Sequence, residues 1–473
     1  MSVSEGFETP DRPPDIRVPY GGYHRRDVPP EDAELTHVGP GTPCGEYMRK
    51  FWWPVCLSEL VTELPLAIRI LGEDLVAFRD KSNRVGVLHR HCSHRGTSLE
   101  YGIPSDRGLR CCYHGWLFDV DGRILETPGE SPGSKLKDSF VHGAYPALEY
   151  HGLVFAYLGP PQEKPDFPIL DTFEEPDTQI KPYTIWHPCN YLQVMDNLPD
   201  FFHTCILHNG IGNAALARGE AETDMKVDMP FEVFPVTEFR PVDEGNGYLY
   251  TATRRVGPMI WIRNNHMIFP TFTQNTGLYE EATKEKYFLR VALIKWQVPN
   301  DDTNCTTMGW RHFSAKTDPE AKGQPELVGI DGMDFLDGQS GNRPDAEKRR
   351  DPGDWDVLVS QRPIARHAME HLGESDAGVA LMRKTLRQNI KGENLVVHPT
   401  PLKTTGLVPT HSYDTVLPLP TPPGRDERDY LKEIGHRVTD IVVESAFLPE
   451  AEREKYVVKH VVDLKEAELA GLS

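Results

Sequence analysis

The sequence predicts an α+β chain in two successive parts, an N-terminal all-β domain and then a larger domain whose antiparallel sheet is covered by helices. Three observations carry this. Between Leu66 and Tyr157, short apolar stretches alternate with Gly and Asp turns, the rhythm of a small antiparallel β domain. The stretch GPPQEKPDFP at Gly159–Pro168 reads as a linker, because proline neither donates to a sheet ladder nor continues a helix. Beyond it, the long alternating segments GYLYTATRRV, MIWIRNNHMIF, KYFLRVALIKWQV and TTMGWRHFSA lie between helical patterns.

Residues 1–35, rich in Pro and charge, predict an extended arm. MRKFWWPVCLSEL (Met48–Leu60) predicts a short helix leading into the first domain, residues 36–160. The second domain, 161–395, opens with a helix over Tyr191–His208 and closes with helices over Trp355–Leu372 and Asp376–Ile390. Within it, 318–353 carries many Gly and Asp residues without apolar period and reads as a long loop, the kind that serves as a lid or stays disordered. Residues 396–473 form a C-terminal extension, Pro-rich over Val397–Arg425 and ending in an amphipathic helix over Glu444–Leu472. No internal repeat is present.

Charge and composition narrow the function classes. The 473 residues hold 51 Lys plus Arg against 71 Asp plus Glu, a net charge of -20. Such a chain, without a basic block, is a poor binder of nucleic acid or anionic membrane. No apolar run approaches the ~20 residues that span a bilayer, and MSVSEGFETPDRPPD has no signal-peptide pattern. A soluble, cytoplasmic protein is expected. Its eight cysteines (44, 56, 92, 111, 112, 189, 205 and 305) are too sparse for a disulfide scaffold and should be reduced.

Two of them sit in HRHCSHRGTSLEYGIPSDRGLRCCYHGW, which contains C-x-H, sixteen residues, then C-x2-H. Cys92, His94, Cys111 and His114 supply two thiolates and two imidazoles, a set suited to zinc or to iron–sulfur. Zinc motifs usually group the cysteines apart from the histidines. One Cys and one His on each of two loops instead suits a [2Fe–2S] cluster in which two His replace two Cys on one iron. Cys111 stands three residues before His114; the alternative register uses Cys112. With Arg95–Gly96 after the first His and Tyr113, Gly115 and Trp116 around the second, the segment resembles the Rieske domain of the Rieske non-haem iron aromatic-ring-hydroxylating oxygenases. Further similarity to the phthalate 4,5-dioxygenase and dehydrodivanillate O-demethylase type lies in LTHVGPGTPCGEYMRKFWWPV, ILGEDLVAFRD, HPCNYLQVMDN and DAGVALMRKTLRQNI. The resemblance implies that 36–160 is the Rieske domain and 161–395 the catalytic domain.

A Rieske centre alone leaves about 300 residues without a task. NYLQVMDNLPDFFHTCILH carries D-x2-H-x4-H, and two His with one carboxylate form a facial set that leaves Fe(II) positions open. His203 and His208 are the candidate ligands. A five-residue step on an ideal helix turns about 140°, so they converge only through distortion or side-chain reach. The third ligand is sought in RRDPGDWDVLVSQRP: Asp354 fits the family pattern best, Asp356 is second, and Asp351 is also present. All three also suit plain helix capping. The resemblance further implies that Asp200 is no iron ligand but hydrogen-bonds both His203 and, in a neighbouring subunit, His114. Helix capping is its alternative role.

The expected cofactors are one [2Fe–2S] Rieske cluster and one mononuclear Fe(II) per chain. No G-x-G-x-x-G lies between strand and helix, so electrons must come from a separate NAD(P)H-dependent reductase carrying flavin and its own iron–sulfur centre. The resemblance implies a homotrimer or stacked trimers of one subunit type. The expected activity is O₂-dependent hydroxylation or dihydroxylation of a small aromatic, carboxylated substrate, with O-demethylation of a methoxylated aromatic acid as the alternative. A Rieske electron carrier and a zinc-stabilised binding module are the remaining classes. Asn190, Arg263, His266 and Phe272 are candidate substrate contacts, with Trp261, Phe269, Arg290, Trp296 and Trp310 as further pocket-wall candidates.

Overall fold

The computed structural model describes residues 19–22, 27–208, 233–242, 246–336, 338–394, 398–399 and 401–472. Most of the expected arm, residues 1–18 and 23–26, lies outside these. No helix among the described residues is long and apolar enough to cross a membrane, and all eight cysteines are free thiols.

The first domain is all-β, in three antiparallel sheets. One joins Trp52–Leu57, Leu153–Tyr157 and Ala147–Tyr150. A second joins Leu66–Ile70, Glu73–Arg79, Val85–His89 and Ala144–Tyr145. The third is built from two- and three-residue strands: Ile103–Pro104, Leu109–Arg110, Leu117–Phe118 and Ile124–Glu126. The helix expected over Met48–Leu60 is instead a helix over Pro43–Met48 followed by the strand Trp52–Leu57, whose six residues are all buried. An apolar run buried on both faces has no period that separates strand from helix. Pro54 is tolerated because this strand is the sheet's edge, with a register shift beside the proline.

The second domain is organised on a nine-stranded antiparallel sheet. Its main path runs Gln179–His187, Asn304–Phe313, Val291–Asp301, Phe272–Thr276, Met259–Ile268, Gly247–Val256 and Val236–Val242. Tyr413–Leu417 adds to Met259–Ile268 and to Lys286–Leu289. This strand lies within the segment expected to be only Pro-rich. The helix Glu427–Glu444 covers it, burying Tyr430, Ile434 and Val438 against Ile260, Ile262, Tyr413 and Leu417. The last helix runs Glu450–Ala470, beginning after Pro449 rather than at Glu444.

The two faces of the large sheet have different neighbours, and side-chain parity decides which residue meets which. Phe272, Trp296 and Trp310 share one face and pack with Phe155, Phe167 and Phe173 into a core common to both domains. Backbone bonds from Leu71 N to Pro299 O and from Gly72 N to Asn300 O, each 2.8 Å, fasten the first domain to the end of the strand Val291–Asp301. The opposite face, with Arg263, Asn265, Thr273, Asn275, Leu293, Lys295, Gln297 and Thr307, lines a cavity.

Two expected helices are shorter than the sequence suggests. Tyr191–Asp196 is helical, 197–202 is not, and 203–208 is helical again. Pro199 lacks the N–H that a continuous helix needs. The helix expected over Trp355–Leu372 stops at Val359; Arg362 takes φ +85° and Pro363 follows. Ala377–Ile390 forms as expected. The long loop 318–353 is mostly irregular but contains a helix at Asp345–Arg350.

Candidate active site

Two structurally equivalent turns carry the first four candidate ligands. In one, Gly96 N donates to Cys92 O (2.7 Å) and Cys92 N to Thr97 O (2.9 Å); in the other, Gly115 N donates to Cys111 O (3.0 Å) and Cys111 N to Trp116 O (2.8 Å). Both turns close on glycine at positive φ, +75° at Gly96 and +76° at Gly115, a conformation that penalises any Cβ. Cys92 and Cys111 are each 3% exposed. The half-buried His94 and His114 rings face one another 4.5 Å apart, and His94 stacks on Trp116. Burial, then the nearby Cys111 thiol, raises the pKa of Cys92. Two thiols crowded in an apolar core resist ionisation unless a cation joins them. The chemistry of the donor set therefore fits a Rieske cluster. Cys112 is exposed.

The second candidate centre joins residues far apart in the chain. One donor atom each from His203, His208 and Asp354 lies within 4.8 Å of the others. Asp354 Oδ1 is 3.6 Å from His203 Nε2, and Oδ2 is 3.3 Å from His208 Nε2. Asn197 Nδ2 donates to Oδ1 at 3.1 Å and Gln339 Nε2 to Oδ2 at 2.6 Å. Burial pushes the Asp354 carboxyl pKa up, but His208, His203 and Gln339 outweigh it and hold the group well below the usual carboxylate range. Two imidazoles and one ionised carboxylate, with no further anion between them among the described residues, fit a divalent metal with open positions.

The three neighbouring acids have separate tasks. Asp354 opens the helix Asp354–Val359 and faces the histidines. Asp356 accepts from Gly353 N at 2.9 Å, capping the same helix, and pairs with Arg343. Asp351 ends the preceding helix, its carbonyl accepting from Arg343 Nη1 at 2.9 Å. Asp200 holds the start of the 203–208 helix: its Oδ1 accepts from Phe202 N (2.9 Å) and His203 N (3.2 Å), while Oδ2 stands 3.5 Å from His203 Nδ1. Burial raises the Asp200 pKa and His203 lowers it further, leaving it ionised. Within one chain it makes no contact with His94 or His114 among the described residues.

A cavity of about 140 Å³ opens beside these ligands, walled on the helix side by Val194, Leu198 and Phe201 and on the loop side by Met333, Phe335 and Leu336. The loop side belongs to 318–353. Of the four candidate substrate contacts, only Arg263 lines this cavity, and its guanidinium is held by Asp414 (3.2 Å) and the Thr276 carbonyl (3.1 Å). Asn190 is fully buried at the start of the Tyr191–Asp196 helix. Its side chain accepts from Leu192 N and donates to Thr36 O and Asp302 O, so it builds the scaffold instead. His266 and Phe272 sit at even positions, on the other face of their strands. His266 meets His411 at 5.2 Å, and Phe272 lines a separate apolar cavity of about 280 Å³. The same parity removes Trp296 and Trp310 from the wall, while Arg290 is buried in pairs with Glu175 and Glu450. Sequence reasoning missed Asn197, Gln339 and Lys295. For Lys295 there was a signal, a single cation inside the apolar run VALIKWQV.

Comparison with known proteins agrees with this two-centre architecture. Residues 51–145 match the Rieske [2Fe-2S] domain. The chain is 43% identical over 458 residues to the tert-butanol monooxygenase / tert-amyl alcohol desaturase oxygenase subunit of Aquincola tertiaricarbonis, covering 94% of this chain and 96% of that one. It is 34% identical to the phenoxybenzoate dioxygenase subunit alpha of Ectopseudomonas oleovorans (80% and 89% covered) and 32% identical to the phthalate 4,5-dioxygenase oxygenase subunit of Pseudomonas putida (76% and 85%). The solved structure of Pseudomonas putida CBB5 NdmA with caffeine shares the fold, at 19% identity and TM-score 0.54 over 74% of this chain and 93% of that one. A β domain bearing a two-Cys, two-His pair of turns, joined to a sheet domain bearing a two-His, one-carboxylate pocket, defines a two-centre iron oxidoreductase. The chain belongs to the Rieske non-haem iron oxygenases, as an oxygenase (alpha) subunit of a multicomponent system. Its cofactors are accordingly a Rieske [2Fe–2S] cluster and a mononuclear iron, and the electron-carrier and zinc-module readings are set aside.

Proposed function

We propose that this subunit hydroxylates or dihydroxylates a single-ring aromatic acid with O₂. Cys92, His94, Cys111 and His114 hold the cluster, and His203, His208 and Asp354 hold the mononuclear iron. The observation that carries this is the convergence of those last three donors on the 140 Å³ cavity. That volume is comparable to an engineered apolar cavity of ~150 Å³ that takes up benzene. When bound, the cluster supplies single electrons and the iron supplies open positions for O₂. The chain's own residues position the reactants. Val194, Leu198 and Phe201 exclude water, Asn197 and Gln339 fix the Asp354 carboxylate, and Asp200 orients the His203 ring.

Asp200 is the electron bridge to His114 of a neighbouring subunit in a homotrimer or stacked trimers. Both side chains keep some exposure and have no contact with each other within the chain, which supports a junction between subunits. Electrons come from an NAD(P)H-dependent reductase with flavin and its own iron–sulfur centre, in the cytoplasm. O-demethylation of a methoxylated aromatic acid uses the same centres. A second reading, oxidation of a small tertiary alcohol, is favoured by the 43% identity to the tert-butanol monooxygenase subunit. Purified protein with a generic reductase, given phthalates, methoxybenzoates, biaryl acids and tert-butanol, tests the set. NADH oxidation coupled to product from an aromatic acid supports the main reading; coupling only with tert-butanol overturns it. Labelling with ¹⁸O₂ separates the oxygenation outcomes.

A further inference from the structure

Across the cavity, the sheet presents a polar floor. The Tyr183 hydroxyl, Asn265 Oδ1, Thr273 Oγ1 and Asn275 Oδ1 are buried without a hydrogen-bond partner among the described residues. Tyr183, Asn265 and Thr273 are 1%, 4% and 1% exposed. Buried polar atoms left unpaired cost about 1–3 kcal/mol each, so such a cluster implies a polar ligand. At its centre stands Lys295, paired across the sheet with Thr273 on one side and Gly309 on the other, with Tyr183 opposite Gly309 in turn. Gly309 allows its strand to approach the lysine's strand closely, because a Cβ there would lie 1.9 Å from Ile294 O and 2.7 Å from Lys295 Cα. No carboxylate lies within ion-pair distance of Lys295 Nζ among the described residues; burial lowers its pKa, and the Asp354 carboxylate acts against that from farther off. Arg263, the other cation of the wall, is already neutralised by Asp414.

A cation in a water-poor pocket, beside two unpaired hydroxyls that can donate, is built to receive an anion. We propose that Lys295 anchors the substrate, its ammonium pairing with the carboxylate of an aromatic acid while the Tyr183 and Thr273 hydroxyls donate to the same group. This rests on the aromatic-acid reading above and adds the residue that selects for it. The anchor stands on the sheet and the iron-ligand candidates on two helices that border the same cavity, so a carboxylate held at Lys295 keeps the ring in the cavity those ligands face.

The test is calorimetric binding to iron-loaded holoenzyme of benzoate and phthalate against benzamide, a neutral analogue of benzoate, in wild type, Lys295→Met, Lys295→Gln and Lys295→Arg. Cluster absorbance and iron content in the variants establish folding, and the Gln variant serves where Met fails to load. The expected result is at least a tenfold weakening of the acids in Met or Gln, unchanged benzamide, and near wild-type acid binding in Arg. Unchanged acid binding in the neutral variants, or equal loss for acid and amide, overturns the anchor while leaving the aromatic-acid reading intact. Failure of wild type to bind either acid overturns the anchor as well; turnover of tert-butanol by that same preparation identifies the functional reading as the part that failed.

Discussion

At the scale of single residues, the neighbouring acids of RRDPGDWDVL are alike in sequence and unlike in space. Asp354→Ala is expected to take the protein from about three iron atoms per chain to about two, with the cluster spectrum unchanged. Asp356→Ala should keep the iron and lose about 1 kcal/mol of stability, since it removes a helix cap. Metal analysis beside thermal denaturation distinguishes the two, and iron loss in the Asp356 variant alone would reverse the assignment. Asp200→Asn preserves the cap, because Asn caps as well as Asp, but removes the charge beside His203. Both centres should stay loaded while turnover falls by ~100-fold; loss of the mononuclear iron would make Asp200 a support for the ligand instead of a bridge. The cysteines and histidines of the first domain were legible in the sequence because fixed spacing on two short turns encodes their geometry. The choice of Asp354 among the acids rested on the family resemblance, since each also reads as a cap, and the position of Lys295 on the cavity face emerged only once strand parity was known.

At the scale of elements, the break at 197–202 matters most. It separates the Tyr191–Asp196 helix, pinned by Arg383 Nε and Nη2 on Asp196 (3.0 and 2.5 Å), from the turn that carries both histidines. Gly378 packs against this break: a Cβ there would lie 2.9 Å from Pro199 Cβ and 2.4 Å from Phe239 Cε1. Gly→Ala inside a helix ordinarily stabilises by up to ~1 kcal/mol. Here Gly378→Ala is expected to destabilise by about 1–3 kcal/mol through overpacking and to reduce mononuclear iron occupancy. Denaturation midpoints and iron content check it, and a more stable variant would show the contact to be loose. The sequence exposed the alternating strands because one face differs in chemistry from the other. It hid Trp52–Leu57, buried on both faces, and it ran helices through Pro199 and Pro363, where composition remained helical after the backbone could not.

At the scale of the whole molecule, the two iron sites differ in access. The cluster thiols are buried, whereas the mononuclear ligands border an open cavity. Dialysis against a bidentate Fe(II) chelator should therefore abolish turnover while the cluster absorbance persists, and Fe(II) but not Zn(II) should restore activity. Joint loss of both signals would argue against separate sites. The two-domain order was legible from the linker and the shift in strand length; the common aromatic core was not, because it is made by residues from distant strands. Nor was the part played by Tyr413–Leu417, whose Asp414 holds Arg263 from 151 positions further along the chain. A polypeptide emerging from the ribosome thus exposes an unfinished β edge, a template for unwanted pairing, until that late segment arrives. Synthesis at ~5–20 residues per second makes the wait roughly eight to thirty seconds, so maturation of the cavity, and metal loading within it, falls late in biogenesis.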